Sequence, residues 1–399
     1  MPNQTTALPG WEALLTAAGQ DRLREIETAV ANGGPPEAVG RRLRTAGVDP
    51  DEVSALLTQV GLRARARAKF GGQADRMLFT QAGLEQASRA AVSRLHAARF
   101  AAADCTRIAD LGCGIGTESL AFQAAGLTPL PVEIDPFTAA IAAHNLGLAV
   151  VVADAESFPL TDADGVFLDP ARRTAGHRDT RRLSSTDDYS PSLGFAFGLA
   201  EHFPLGIKLG PAFDRELIPE EAEAQWVSVR GDLVEMGLWF GRTAREGITR
   251  SALIIDETGT HELNASADAP DAELTGLDEY LYEPDAAVIR ARLIGRLAGE
   301  LSAGHLSEGI AYLSGSSMQA SPFAQAFRVI EQLPARERDL SRALSARGIG
   351  RLELKKRGAD VDPATLRKRL RLRGPNSATL ILTRVLGRHV ALLVERVAS

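Results

Sequence analysis

Cysteine is nearly absent from this chain of 399 residues: Cys105 and Cys113 are the only two. They flank what reads as one strand, which suits neither a disulfide framework nor a metal cluster, so reduced thiols and no metal are expected. Long apolar runs are missing as well. A bilayer span needs about 20 predominantly apolar residues, and nothing here approaches that. Met1-Pro2-Asn3-Gln4 opens no basic stretch followed by an apolar core. A cytoplasmic protein without a membrane partner is therefore expected. Aromatic residues are only 5% of the chain, but 45% of it is apolar, enough to fold. The length exceeds one ordinary core and implies two or three domains.

The net charge of −6 hides an asymmetry. From Ala335 to Ser399 there are 16 Lys and Arg against 6 Asp and Glu, a net of +10 that leaves −16 for the first 334 residues. A basic module on an acidic body is a candidate footprint for nucleic acid, since neutralising phosphates releases condensed counterions. A solvated surface is the alternative for such a stretch.

Residues 1–75 read as a helical domain. Trp11 to Leu15, Leu23 to Ile26 and Asp51 to Leu57 carry apolar residues at helical spacing, Gly33-Gly34-Pro35-Pro36 and Gly47-Val48-Asp49-Pro50 interrupt them, and Arg63 to Lys69 forms a charged helix before Gly71-Gly72. Residues 76–258 alternate short strands with helices, which predicts a doubly wound, Rossmann-like α/β domain. Its seven expected strands are Arg107–Asp110, Leu130–Ile134, Val150–Ala153, Gly165–Leu168, Leu205–Leu209, Trp226–Val229 and Ser251–Ile255. Residues 259–326 read as a connector, in which Tyr280-Leu281-Tyr282-Glu283-Pro284 is expected as a turn opening a helix. Residues 327–399 read as a small α+β domain: strand, helix, strand, helix and a hairpin.

In such a sheet ligands bind at the carboxyl ends of the strands where the winding reverses. The first strand-to-helix turn is Asp110-Leu111-Gly112-Cys113-Gly114-Ile115-Gly116. Its glycines permit positive φ and close backbone approach, and the free N–H groups from Thr117 onward can take a carboxylate. That matches the methionine end of S-adenosylmethionine. A dinucleotide fingerprint would place its third glycine at Thr117. Glu133, followed by Ile134, can accept hydrogen bonds from both ribose hydroxyls, and Asp154 can receive the adenine amino group with Ala155 offering its N–H to the ring.

These segments, together with Asn145 and Asp169-Pro170, resemble the successive motifs of class I S-adenosylmethionine-dependent methyltransferases, in order and correctly spaced. Pro129 and Pro131 depart from the pattern and are expected to shorten the second strand. The resemblance puts the methyl acceptor at Asp169-Pro170-Ala171-Arg172, where Asp169 would hold an amine hydrogen and aim the nitrogen lone pair, with Arg172 beside it. Base-amino methyltransferases usually carry Asn/Asp-Pro-Pro-aromatic here. The tetrad is closer to the Asp-Pro-Pro-Arg of pyrimidine C5 methyltransferases, but neither cysteine is placed to attack a ring. Arg172, Arg173, Arg178, Arg181 and Arg182 suit phosphate contacts; for Arg172 and Arg173 a helix-start salt bridge is the alternative. His177 in the same loop is a candidate base. Phe79 and Gln86 are candidates for a segment covering the cofactor, although capping and packing explain them equally well. Lys208 is a candidate substrate contact.

Gly350 to Gly358, Asp362-Pro363 and Arg367 to Gly374 resemble the THUMP-like C-terminal module of a group of bacterial methyltransferases, and Tyr280 to Pro284 resembles the ferredoxin-like insert preceding it. This implies RNA contacts by Lys355, Lys356, Arg367 and Arg369. With few aromatics nearby, recognition of backbone and shape in tRNA or rRNA is expected. The leading reading is methylation of an RNA base nitrogen. A protein or small-molecule methyltransferase with an incidental basic tail, and a non-catalytic protein that binds both cofactor and RNA, remain open, as does the oligomeric state.

Overall fold

The computed structural model describes residues 9–172 and 189–397. Two compact units emerge, one of Met1–Ala222 with Gly237–Arg245, the other of Glu223–Met236 with Glu246–Ser399.

The first unit opens with three helices, α1 (Ala17–Ala31), α2 (Pro36–Thr45) and α3 (Pro50–Phe70). Thr16 and Asp49 cap the starts of α1 and α3 by accepting from the backbone N–H groups of Gly19 and Asp51. Leu23, Ile26, Leu43, Val53, Leu56 and Phe70 form the core between them. There follow α4 (Gln81–Gln86), α5 (Ala90–Ala102), β1 (Arg107–Leu111), α6 (Thr117–Ala124), β2 (Thr128–Glu133), α7 (Pro136–Leu146), β3 (Val151–Val152), β4 (Gly165–Leu168), the short pair β5 (Ala171–Arg172) and β6 (Tyr189–Ser190), α8 (Leu193–Gly198) and β7 (Leu205–Leu209). These strands lie in the order β7-β4-β1-β2-β3, every pairing parallel, with β5 and β6 standing apart. The chain winds outward from β1 to β3 and then returns to the far side of β1. The reversal therefore falls between β1 and β4, and the turn after β1 and the end of β4 face one crevice.

The prolines of the second strand do not shorten it. Thr128 donates its N–H to Thr106, on the β1 side, so the alternation of a strand turns positions 129 and 131 the other way. On that side β2 pairs only through Val132 and Glu133, so the two missing N–H groups cost no ladder bond.

In the second unit β8 (Glu223–Val229), β10 (Arg250–Ile255) and β11 (Thr260–Ala265) lie in the order β11-β10-β8. The strand β9 (Asp232–Phe240) contributes Asp232–Met236 here and Gly237–Phe240 to the first unit. All seven expected strand segments contain strand, and β5, β6, β9 and β11 are additions. Nothing in the usual Asn-Gly or Asp-Gly code announces β9, because Arg230 and Gly231, at φ 54° and 81°, make the two-residue turn before it.

The rest of this unit comprises β12 (Tyr280–Pro284), α9 (Ala286–Arg290), α10 (Ile294–Leu301), β13 (Gly304–His305), β14 (Leu313–Gly315), β15 (Ala324–Leu333), α11 (Glu337–Ala346), β16 (Ile349–Lys356), α12 (Pro363–Leu370), β17 (Asn376–Val385) and β18 (Arg388–Arg396). Its sheet runs β13-β14-β12-β15-β18-β17-β16. Residues 280–284 are thus a central strand and not a turn: Leu281, Tyr282 and Pro284 are buried, and the strand pairs with neighbours on both sides. Leu340, Leu344, Leu366 and Leu370 of α11 and α12 pack on Leu352, Leu354, Leu380 and Leu382. Arg371, at φ 50°, ends α12. Among the described residues no helix is long and apolar enough to cross a membrane.

Candidate active site

The turn after β1 has the backbone its glycines foretell: Gly112, Gly114 and Gly116 lie at φ 80°, 54° and 85°. The N–H groups of Gly112 and Cys113 both donate to the carbonyl of Val132, fastening the turn to β2. The three glycines are not equivalent. A Cβ on Gly116 would press on Leu146 at 3.1 Å, whereas one on Gly114 would meet nothing within 4 Å, so Gly114 faces open space where a ligand can lie.

Glu133 ends β2 with both oxygens engaged from below, Oε2 by Gly114 N–H at 3.0 Å and Oε1 by Asp135 N–H at 2.9 Å. Burial pushes its carboxyl above the ordinary value, against those hydrogen bonds. Ile134 beside it is 46% exposed, an apolar plate out of keeping with the buried strand before it. Asp154 is exposed, its Oδ1 accepting from Glu156 N–H, and Ala155 is buried next to it.

Asp110 lies under the turn, 1% exposed, accepting a 2.6 Å hydrogen bond from Ser119 of α6. Burial, with help from Glu118 and Asp169, pushes its carboxyl up to about 7 from an ordinary 3.8. A raised folded value means that the folded chain holds this proton more tightly than the unfolded one. The resulting stability is full below pH ~4 and lost as pH rises through ~7. Asp110→Asn is therefore expected to flatten that part of the stability profile, so the difference in urea midpoint between variant and wild type moves in the variant's favour from pH ~5 to ~8. Parallel profiles would refute this account of Asp110.

Asp169 follows β4 with its side chain 31% exposed, and its carbonyl oxygen lies 3.9 Å from where a Cβ on Gly112 would stand. Its Oδ2 forms an ion pair with the ammonium of Lys208, at the buried fourth position of β7. Lys208 Nζ also donates to the carbonyl of Gln86 at 3.0 Å. Lys208 thus grips Asp169 from inside, and Gln86, whose side chain is exposed, meets the site through its backbone. Phe79 is buried in the helical core, 5.7 Å from Phe70. Pro170 is buried beside Asp169, and Arg172 brings its backbone to β5. Arg173, His177, Arg178, Arg181 and Arg182 lie outside the described residues.

One part of the site has no advance sign in the sequence. Glu118, in the first turn of α6, is buried and bound to Ser93 Oγ at 3.0 Å and His96 Nδ1 at 3.1 Å. Burial pushes its carboxyl up, but the charges of His96 and Lys208 and hydrogen bonds from His96 and Ser88 outweigh that and bring it below the ordinary value. Asp169 and Glu133 border the turn with carboxylates, which suits a cationic ligand better than a pyrophosphate. S-adenosylmethionine, a cation, fits that charge: Glu133 could hold its ribose, and Asp154 with Ala155 could take its adenine. The thiols do not act here. Both are buried, and burial pushes Cys105 up to about 11 and Cys113 well above its ordinary value.

In the second unit the four basic residues expected to meet RNA divide. Lys355 is half-buried, 2.5 Å from Glu283 and over the ring of Phe327. Lys356, Arg367 and Arg369 are exposed, as is Lys368, and Arg369 pairs with Glu337 at 3.2 Å.

Comparison with known proteins agrees with this geometry. The family model described as THUMP domain-like matches residues 324–396, and a domain of unknown function, DUF8688, matches residues 7–66. A crystal structure from Porphyromonas gingivalis W83, provisionally named a methyltransferase, superposes with a TM-score of 0.69 over 88% of this chain and 92% of that one, at 21% identity, and so shares the fold. Uncharacterized S-adenosylmethionine-dependent methyltransferases of two Mycobacterium tuberculosis strains, CDC 1551 and H37Rv, are each 33% identical over 347 residues, 84% of this chain and 94% of theirs. At that identity over so much of both chains, kinship and geometry meet: this protein belongs to the S-adenosylmethionine-dependent methyltransferases.

Proposed function

We propose that the enzyme methylates a nitrogen of a base in structured RNA, of the tRNA or rRNA class and in the cytoplasm, with Asp169 holding the acceptor amine. The observation that carries this is the position of Asp169: a part-exposed carboxylate at the end of β4, bordering the cofactor turn and held by a buried ammonium. The cofactor supplies an electrophilic methyl group on a sulfonium. The chain's part is alignment, because in-line displacement depends on the angle and distance of attack. Asp169 accepts a hydrogen bond from the amine and receives its proton as the N–C bond forms and the C–S pair returns to sulfur. Lys208 fixes one carboxylate oxygen. Neither buried thiol is available as a nucleophile, which favours nitrogen over ring carbon as acceptor.

The RNA side of the proposal rests on the THUMP-like module and the exposed cations of α12 with Lys356. Binding of bulk tRNA and rRNA is expected to fall steeply with KCl. Changing Arg367, Lys368 and Arg369 to Ser is expected to weaken it for all sequences, and to reduce the salt slope by about one unit for each phosphate that is no longer neutralised. Salt-insensitive binding, or a slope unaltered by the triple change, would remove this helix from the interface. The identity of the acceptor is tested by mass spectrometry of nucleosides from cells lacking the protein. A methylated base is expected to vanish; an unchanged nucleoside profile with a methyl group missing from a protein or small molecule would overturn the RNA reading.

A further inference from the structure

The N-terminal helices match a domain of unknown function, and α3 gives them a role. We infer that α3 is a splint for the segment Met77–Ala87, which runs over the cofactor turn, and that Gln59 and Lys69 are positioning residues for cofactor binding. The inference rests on the reading of that turn as the cofactor site.

Met77–Ala87 has few means of holding its own shape. It is an extended stretch followed by α4, a helix of six residues, and short helices are marginal without tertiary support. Besides the burial of Met77, Leu78, Phe79 and Leu84 in the helical core, that support comes from side chains bonding to its backbone. The buried carboxamide of Gln59 reads Phe79 as a strand neighbour would, Nε2 donating to the Phe79 carbonyl at 2.6 Å and Oε1 accepting from Phe79 N–H at 3.0 Å. Four residues on, Arg63 donates from Nε to the carbonyl of Met77 at 2.8 Å, while its Nη1 is held by Glu27 of α1 at 3.1 Å. At the end of the helix, Lys69 places one ammonium on three carbonyls at the end of α4: Leu84 at 2.7 Å, Glu85 at 3.0 Å and Ala87 at 2.9 Å. A cation there also meets the negative end of the α4 dipole.

The segment is joined to the site at three points. Asn145 of α7 accepts from Leu78 N–H at 2.7 Å and donates to the carbonyls of both Leu78 and Ile115 at 2.9 Å, tying the segment to the cofactor turn. Gly83 lies so close to that turn that a Cβ on it would stand 2.4 Å from Ile115 Cγ2. Gln86 gives its carbonyl to Lys208, which also holds Asp169. One line of contacts therefore runs from α3 through the segment to the turn and the acceptor-side carboxylate. A helical domain that served only as a separate binding module would not spend a buried glutamine and a lysine on the backbone of this one segment.

The test compares Lys69→Met and Gln59→Leu with Lys69→Arg and, as a control within the same helices, Arg24→Ala, whose exposed partner Asp21 lies in α1 itself. Cofactor affinity by calorimetry and amide hydrogen exchange without cofactor are measured on the full chain. Removing two or more hydrogen bonds to the segment is expected to weaken affinity about tenfold in Lys69→Met and Gln59→Leu. Exchange should be faster at Leu84 and Ala87, with the core strand β1 as protected as in wild type. Lys69→Arg is expected to restore most of the affinity, and Arg24→Ala to change neither readout. Wild-type affinity in both Lys69→Met and Gln59→Leu overturns the inference, as does a loss accompanied by uniform acceleration of exchange throughout the unit. Gly114→Val separates the two readings: if it leaves calorimetric binding intact, the cofactor site itself is misplaced; if it abolishes binding while the α3 variants bind normally, only the splint falls.

Discussion

Asp169→Ala is expected to lower kcat by ~10³-fold, within the range for removal of a positioned proton acceptor, while cofactor affinity stays within about threefold of wild type. Asp169 lies after β4, whereas the ribose and adenine contacts proposed from the sequence would fall on β2 and the stretch after β3, so affinity and turnover should separate. Two conditions make the result readable. Lys208 is buried, and removing a partner from a buried charge can cost ~3–5 kcal/mol of stability, so a thermal melt must show that the variant is folded at the assay temperature. Asp169→Asn keeps an oxygen for Lys208 but cannot take a proton; it should remain folded and be about as slow as the alanine variant. Turnover is measured as methyl incorporation into RNA from cells lacking the protein. Undiminished incorporation by Asp169→Asn would remove the carboxylate from the mechanism and leave the position with alignment alone.

Much of this arrangement is legible in the sequence because it is local. A strand-ending carboxylate is read from a short apolar run and the residue after it, so Asp110, Glu133, Asp154 and Asp169 stand out one strand at a time, and doubly wound topology brings them together. Gly112, Gly114 and Gly116 are legible for the same reason, since positive φ is written in residue type. What is hidden is contact across the chain. Lys208 reads as a possible substrate contact, yet its ammonium joins Asp169 to a carbonyl 122 residues earlier. Arg63 reads as part of a charged helix and Gln59 gives no sign in the sequence, yet both are buried because the backbone of another segment satisfies them. Tyr280 to Pro284 misleads in the other direction: a terminal proline and a following cap look like a turn, and only pairing with β14 and β15 makes a strand of it. The missed strand β9 follows a turn whose first residue, Arg230, is not one the usual hairpin code includes.

Glu133→Ala is expected to weaken cofactor binding by at least ~10²-fold, since a hydrogen bond to a charged acceptor contributes about 1.5–3 kcal/mol and a ribose offers two. Part of that loss would be indirect, because Glu133 also holds the N–H groups of Gly114 and Asp135, so the alanine variant alone cannot apportion it. Two comparisons can. Glu133→Gln keeps an acceptor for the backbone but not the charge, and should fall between wild type and alanine. A cofactor analogue without the ribose 2′-hydroxyl should bind the wild type markedly worse than the parent, but bind Glu133→Ala no worse than the parent does, the signature of a direct contact. The pH dependence has a definite sign. Burial raises the carboxyl of Glu133, and the ionised form is the better acceptor for hydroxyl groups. Wild-type affinity should therefore decline as pH falls towards that raised value, beginning at a higher pH than an ordinary carboxylate would impose, while Glu133→Gln loses this component. If the analogue pays the same penalty on wild type and on Glu133→Ala, the carboxylate serves the turn alone and the ribose is bound by other groups.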